Sequence, residues 1–133
     1  MIVADANLVA WILLPTPDSN TARAVFAKDP DWVAPLLLRS ELTSVFAQYV
    51  QAGKATLADV TRLLEIADDV VTAEYRVPAA RVLALAAASR CSAYDCEYVA
   101  LAESLGVPLV TADRQVLRAF PDVAVRPAAF LDV

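Results

Sequence analysis

Short apolar runs alternate along the chain with longer segments in which apolar residues recur every three or four positions. The short runs predict buried strands, and the longer segments predict helices with one inward face. The predicted strands are Met1–Ala4, Trp32–Leu37, Val70–Thr72, Val107–Thr111 and Val123–Val125. Strands that alternate with helices predict an α/β protein, with a mostly parallel sheet covered by helices on both faces.

The predicted helices are bounded by ordinary start and stop signals. The apolar stretch after Asp5, as far as Leu14, is predicted to form a short helix or turn. The longer helices run from the Thr16–Asp18 start signal to about Lys28, from a cap at Ser40 to a stop at Gly53, from Leu57 to Asp68, from Pro78 to near Arg90, from Tyr94 to Leu105 and from Arg114 to Phe120. Ser92 or Ala93 opens the helix that Gly106 closes.

The composition predicts one compact domain in the cytoplasm. A chain of 133 residues, 59% of them hydrophobic, has enough apolar material for a core, and no segment reads as a linker. The N-terminus lacks the basic segment of a signal peptide, and no apolar stretch approaches the roughly 18 to 20 residues of a membrane span. Two cysteines, Cys91 and Cys96, are too few for a disulfide framework. We therefore expect a single domain over residues 1–133, in a reducing compartment.

The chain contains no histidine and carries a net charge of −5. The lack of histidine excludes a Ser-His-Asp triad, a histidine base and every histidine-ligated metal centre. Any catalysis must therefore use carboxylates, lysines or hydroxyl groups. The net charge opposes passive binding to nucleic acid, because Lys and Arg supply most of that affinity. This objection weakens where cations neutralise a cluster of acids.

Four acidic residues are predicted to share one edge of the sheet. Asp5 ends the first strand and Asp113 lies two residues after the strand Val107–Thr111, beyond the carboxyl ends where parallel sheets bind ligands. Glu41 and Asp95 lie in the first turns of helices, where the helix dipole favours negative charge. Taken singly, each acid except Asp5 is more simply explained as a turn or helix-dipole residue. Together they favour a site for a hard divalent cation, since clustered carboxylates otherwise repel one another.

Three segments carry a family resemblance in their order and spacing. They are MIVADANLVAWILL around Asp5, PLLLRSELTSVFAQYV around Glu41, and CSAYDCEYVALAESLGVPLVTADRQV around Asp95 and Asp113. The chain resembles the PIN-domain ribonucleases, particularly the short VapC-type toxins of prokaryotic toxin–antitoxin pairs, from Met1 to near Val125. The resemblance implies a PIN-like three-layer α/β/α fold with a central, mostly parallel sheet.

The resemblance also implies an active site. The family's acidic quartet, catalytic and metal-binding, corresponds to Asp5, Glu41, Asp95 and Asp113. Thr111 stands where a small hydroxyl residue orients the first aspartate, and Asn7 where a supporting polar group is common. The implied reaction is hydrolysis of RNA phosphodiester bonds with one or two Mg²⁺ or Mn²⁺ ions, for which Asp5 and Asp95 are the preferred shared ligands. Cys96 replaces a typically small residue and is interpreted as packing.

Partners follow from the same resemblance. A toxin of this type implies an RNA substrate, a cognate antitoxin protein and a homodimer. The apolar faces of Leu42–Tyr49 and Leu57–Ile66 are compatible with such contacts, although most of these residues are explained as core. Arg39 and Arg114 adjoin acidic positions, so each is interpreted either as a phosphate contact or as a local ion-pair partner. Arg90 is open to the same phosphate role or to stabilising a helix C-terminus.

Two other functions compete with the nuclease. A non-catalytic α/β binding module would use the acids for solubility, and it predicts no response to Mn²⁺ or to substitution of Asp5. A phosphatase with Asp5 as nucleophile would need a second acid two residues later and a downstream lysine. Position 7 is Asn7 instead, and Lys54 falls on a predicted helix or loop. The spacing therefore favours the nuclease.

Overall fold

The computed structural model of the chain is built around five short strands, of which the three central ones are fully buried. The five strands are β1 (Ile2–Ala4), β2 (Trp32–Pro35), β3 (Val71–Tyr75), β4 (Leu109–Val110) and β5 (Ala124–Val125). The strands form one sheet in the order β3-β2-β1-β4-β5, and all four neighbouring pairs are parallel. The predicted parallel sheet is confirmed. Because β1 and β4 are neighbours, residues just after these two strands lie close together.

Eight helices connect and cover the strands. They are α1 (Ala6–Leu13), α2 (Ser19–Lys28), α3 (Leu38–Gln51), α4 (Leu57–Val70), α5 (Ala79–Ala88), α6 (Ala93–Leu105), α7 (Arg114–Ala119) and α8 (Pro127–Leu131). Successive side chains of a strand point to opposite faces of the sheet. Accordingly, Ile2 and Ala4 join a core with α1 to α4, while Val3 joins a second core with α5 to α7. The three-layer α/β/α architecture is confirmed.

The structure corrects several predicted boundaries. Helix α3 begins at Leu38, so Ser40 lies inside its first turn and does not cap it. Leu38 is 2% exposed, and its burial supplies a reason for the early start that a capping signal does not contain. Strand β2 stops at Pro35, two residues earlier than predicted, because Leu36 and Leu37 form the turn that leads into α3. Helix α8 was not predicted, although Pro127 stands at its first turn, where proline is favoured.

Both cysteines are buried and free, and Cys96 is fully enclosed in the α5–α7 core. Its interpretation as a packing residue is therefore confirmed. The longest helices, α3 and α4, have 14 residues each, and no helix combines the length and apolar character that crossing a membrane requires.

Candidate active site

A cavity of about 250 Å³ opens beyond the carboxyl ends of β1 and β4. Its lining combines acidic residues from four different elements with a few polar and apolar side chains. The predicted site residues that line it are Asp5, Asn7, Glu41, Asp95, Thr111 and Asp113. All six predicted residues are thus brought to one place. The sheet order explains the placement of Asp5, Thr111 and Asp113, which follow adjacent strands.

Asp5 is held by two hydrogen bonds at the start of α1. Its Oδ1 accepts from the backbone N–H of Leu8 at 2.8 Å, which caps the helix. Its Oδ2 accepts from the hydroxyl of Thr111 at 2.5 Å. Thr111 is 2% exposed, and its hydroxyl oxygen also accepts from the backbone N–H of Asp113 at 3.1 Å. One threonine therefore fixes the distance between the ends of β1 and β4.

The pKa of Asp5 is raised from 3.8 to about 6. Although part of the residue faces the cavity, its carboxylate is surrounded by protein atoms, and this burial is the main cause. The negative charges of Glu41 and Asp113 raise the pKa further, whereas the hydrogen bonds from Thr111 and Leu8 lower it. A cation beside Asp5 would offset both the burial and the repulsion.

Asp113 has two roles at once. Its Oδ1 accepts from the backbone N–H groups of Gln115 and Val116, at 2.9 and 3.0 Å, and so caps α7. Its Oδ2 accepts no hydrogen bond from the protein. The simple interpretation of Asp113 as a turn residue therefore describes one of its oxygens, and the other remains available to a ligand in the cavity.

Glu41 and Asp95 present carboxylates without hydrogen-bond partners. Glu41 lies in the first turn of α3, as predicted, and Asp95 lies in the first turn of α6. The hydroxyl of Ser92 caps α6 by accepting from the backbone N–H of Asp95 at 3.0 Å. Because the Ser92 hydroxyl caps α6, the Asp95 side chain is not needed as a cap. Both carboxylates are therefore free to bind a ligand.

The donor set fits Mg²⁺ or Mn²⁺ in chemistry, because it consists of carboxylate and hydroxyl oxygens, and neither cysteine lines the cavity. However, no three acidic or cysteine side chains stand close enough together to hold one ion as they are. Like charges that lack a counter-ion favour such a spread arrangement. Binding an ion would require the carboxylates to move inward across the cavity.

Tyr98 is a lining residue that the sequence analysis missed. It is 5% exposed, and its hydroxyl makes no hydrogen bond although the atom is fully buried. Burial is the main cause that raises the pKa of Tyr98 far above its usual value, and a close approach of its hydroxyl to the Glu41 side chain raises it further, as do the charges of Glu41, Asp5 and Glu97. That approach does not meet hydrogen-bond geometry, and the phenol stays protonated. The available signal was its position three residues after Asp95 in α6, on the same side of the helix.

The cationic residues divide into paired and unpaired groups. Arg39 forms ion pairs with Asp68 and with Glu74, the latter at 3.3 Å. It is therefore an ion-pair residue, but its partners are distant in sequence and do not include the neighbouring Glu41. Arg90, Arg114 and Arg118 form no ion pair. Arg90 and Arg118 share a shallow depression beside α7. No lysine lines the acidic cavity, and the Lys54 ammonium lies over the ring of Tyr49 at 5.6 Å.

Comparisons with known proteins agree on one family. The model of the PIN domain matches residues 2–124. VapC ribonuclease Mb0985 of Mycobacterium bovis and Ribonuclease VapC9 of Mycobacterium tuberculosis are each 34% identical to the chain over 113 residues, which cover 85% of the chain and 86% of each relative.

Two solved structures share the fold. The crystal structure of PAE2754 from Pyrobaculum aerophilum matches with a TM-score of 0.79 at 21% sequence identity. The match covers 98% of this chain and 93% of the PAE2754 chain. The crystal structure of FitAcB from Neisseria gonorrhoeae has a TM-score of 0.69 at 17% identity, with 96% and 99% covered. At these sequence identities, the two comparisons show a shared fold.

Proposed function

The chain belongs to the PIN-domain family, and from this premise we propose that it is a divalent-metal-dependent endoribonuclease of the VapC type. The observation that supports this most strongly is the meeting of four carboxylates, from four separate elements, around one cavity at the carboxyl edge of the sheet. The relatives of 34% identity are named as ribonucleases, which supports RNA as the substrate.

The roles of the residues follow from their contacts. Asp5, Glu41, Asp95 and Asp113 would hold Mg²⁺ or Mn²⁺, with Asp5 and Asp95 as the shared ligands. A bound ion of this kind acidifies water and neutralises charge that develops on phosphoryl oxygens. Thr111 keeps Asp5 in one orientation, and Glu41 and Asp113 complete the site or orient the attacking water. Asn7, exposed at the rim of the cavity, is proposed as a supporting polar group.

Cleavage of RNA in defined metal conditions tests this function. We expect the purified protein to cut single-stranded or structured RNA with Mg²⁺ or Mn²⁺, to lose this activity in EDTA, and to regain it when Mn²⁺ is restored. Products separated on a denaturing gel report internal cuts directly. Activity that persists unchanged in EDTA would rule out the metal-dependent mechanism.

The phosphatase alternative loses support at the site. That mechanism needs a lysine near the nucleophilic aspartate, whereas Lys54 lies at Tyr49, away from the acidic cavity. The two functions are separated by a phosphomonoester substrate, which a phosphatase would hydrolyse and the nuclease would not. The non-catalytic binding module, in turn, predicts no RNA cleavage under any metal condition.

We further propose that the chain acts as the toxin of a toxin–antitoxin pair, with a cognate antitoxin and a homodimer as its protein assemblies. The names of its VapC relatives support the toxin role. An apolar groove between α3 and α4, lined by residues such as Phe46, Val50 and Leu64, is compatible with a bound partner segment. Leu57, at the edge of this groove, is 72% exposed.

The unpaired arginines beside α7 are expected to contact RNA phosphates. The side-chain amide of Gln115 donates to the backbone oxygen of Arg90 at 2.8 Å and so ties the loop before α6 to α7, the helix that Asp113 caps. Arg118 lies five residues after Asp113, about 7.5 Å along the helix axis. The backbones of both arginines therefore lie near α7 and Asp113, and their side chains share one depression, on a chain whose net charge otherwise repels RNA.

Arg90→Gln and Arg118→Gln are each expected to raise KM for RNA several-fold with little change in kcat, because a phosphate contact outside the reacting atoms contributes binding alone. Each should also reduce the slope of log affinity against log salt by about 0.7. Arg62→Gln, in a separate depression, is the matched control. Equal KM values for all three variants and the wild type would contradict the assignment.

A further inference from the structure

Two buried or half-buried polar groups face the acidic cavity without partners, and their chemistry is complementary. The Tyr98 hydroxyl is a fully buried donor that makes no hydrogen bond of good geometry, although it lies near the Glu41 side chain. The Glu41 carboxylate lines the same cavity, and the nearby Tyr98 hydroxyl does not reach it in good hydrogen-bond geometry. A buried hydroxyl without a partner is costly, and native proteins rarely leave one without a reason. We expect the hydroxyl to gain its partner when an ion is bound at the site.

The other acids near Tyr98 are less suited to accept its proton. Both oxygens of Asp5 already accept hydrogen bonds, from Leu8 and from Thr111. Glu97 has the smallest effect on Tyr98 among the neighbouring charges and does not line the cavity. Among the neighbouring charges, that of Glu41 has the largest effect on the phenol. Glu41 is therefore the acceptor that is both near and free.

Formation of this hydrogen bond requires only a change in the Glu41 side chain. Glutamate has rotatable bonds that interconvert between staggered rotamers, whereas Tyr98 is packed in the core beneath the sheet. The same inward movement of Glu41 is the one that metal binding requires, since the carboxylates stand too far apart to hold an ion as they are. One movement would thus satisfy the hydroxyl and bring Glu41 to the ion.

We propose that Tyr98 is a positioning residue whose hydroxyl donates a hydrogen bond to the Glu41 carboxylate and holds that carboxylate at the metal position. The inference rests on the proposed function. It assigns to the buried hydroxyl a task that phenylalanine would not perform, although phenylalanine would fill the same space. Outer hydrogen bonds that orient carboxylate ligands commonly change metal affinity by about 10- to 100-fold when they are removed.

Tyr98→Phe tests the inference, since it removes one oxygen atom and keeps the ring. In EDTA the melting temperature should stay equal to that of the wild type or rise, because the lost hydroxyl had no partner. The dissociation constant for Mn²⁺, measured by calorimetry without RNA, should rise about 10-fold. Tyr94→Phe is the matched control, because Tyr94 lies on the same helix and is 64% exposed.

A double-mutant cycle with Glu41→Ala identifies the acceptor. If Tyr98 acts through Glu41, adding Tyr98→Phe to Glu41→Ala should leave the Mn²⁺ dissociation constant unchanged. Independent, additive losses would overturn the proposal, as would a Tyr98→Phe protein that binds Mn²⁺ like the wild type. A lower melting temperature of Tyr98→Phe in EDTA would show that the hydroxyl is bonded in the free protein, and would also overturn it. Failure of the wild type to bind Mn²⁺ would instead contradict the proposed function, and this inference with it.

Discussion

Asp5→Asn is expected to abolish RNA cleavage and, in the same protein, to raise the melting temperature of the metal-free form at about pH 7.5. Asn has nearly the same shape as Asp, and its side-chain oxygen can still accept from Leu8. Its amide nitrogen cannot accept from the Thr111 hydroxyl, and the loss of that hydrogen bond costs about 1 kcal/mol. Asn also lacks the charge that a divalent ion requires. Loss of the proposed shared ligand should therefore reduce cleavage by about 1000-fold or more, in line with the loss of a central electrostatic group in other active sites.

The stability gain follows from the ionisation of Asp5. Its pKa is raised from 3.8 to about 6 on folding, so the folded protein binds this proton more tightly than the unfolded chain. The protonated Asp5 side chain makes its full contribution to the free energy of unfolding below about pH 4. This contribution is lost as the pH rises through about 6. Above that pH the ionised carboxylate costs roughly 2 to 3 kcal/mol, which Asn avoids.

Thermal unfolding in EDTA across this pH range measures the effect. Asp5→Asn should melt about 4 to 8 °C higher than the wild type at neutral pH, and near pH 4 the difference should disappear or reverse, because only the loss of the Thr111 hydrogen bond then remains. Asp122→Asn, at an exposed position without hydrogen bonds, should match the wild type throughout. Addition of Mn²⁺ should raise the melting temperature of the wild type and leave Asp5→Asn unchanged. A destabilised Asp5→Asn protein at neutral pH would refute the account of Asp5.

Substitutions at Asp113 are expected to separate its two roles. Asp113→Asn keeps an oxygen that can accept from Gln115 and Val116, so α7 should remain capped while cleavage falls about 100-fold or more. Asp113→Ala removes both functions, so it should lose the same activity and, in addition, about 1 kcal/mol of stability. Urea unfolding in EDTA and cleavage rates of the two variants provide the comparison. If only the alanine variant lost activity, Asp113 would be a structural cap and not a site residue.

The sequence predicted the layers of the fold because the apolar period of each segment is strong. Asp5 and Asp113 were placed at the carboxyl edge by the position of their strands alone, before any family was considered. Boundaries were less predictable, as at Ser40, where the burial of Leu38 extends α3 beyond the capping signal. Such burial depends on which element lies opposite, and that information is absent from a local pattern.

Among the four acids, the two that depended on resemblance are Glu41 and Asp95. An acid in the first turn of a helix is common for local reasons, so only the tertiary arrangement brings these two to the cavity. Tyr98 was overlooked because an aromatic residue at helical spacing is ordinarily core. Its ring does pack in the core, and only the unpartnered hydroxyl marks it as different.

On the proposed function, the acidic site is incomplete until a cation binds. Thr111 and the α1 cap hold Asp5 firmly, whereas Glu41 and Asp95 are unrestrained by hydrogen bonds. Such a site could close on an ion, because Asp5 is held in place while the side chains of Glu41 and Asp95 are free to move. The energetic cost of the buried Asp5 charge is offset when the ion is present.

Anomalous diffraction from a crystal grown or soaked with Mn²⁺ tests this central claim most directly, since it locates the ion and the carboxylates in one measurement. The account predicts an anomalous peak in the cavity beyond β1 and β4, with oxygens of Asp5 and Asp95 bound to the ion and Glu41 moved inward. An ion bound elsewhere, or four acids that remain apart around an ion-free cavity at saturating Mn²⁺, would contradict it.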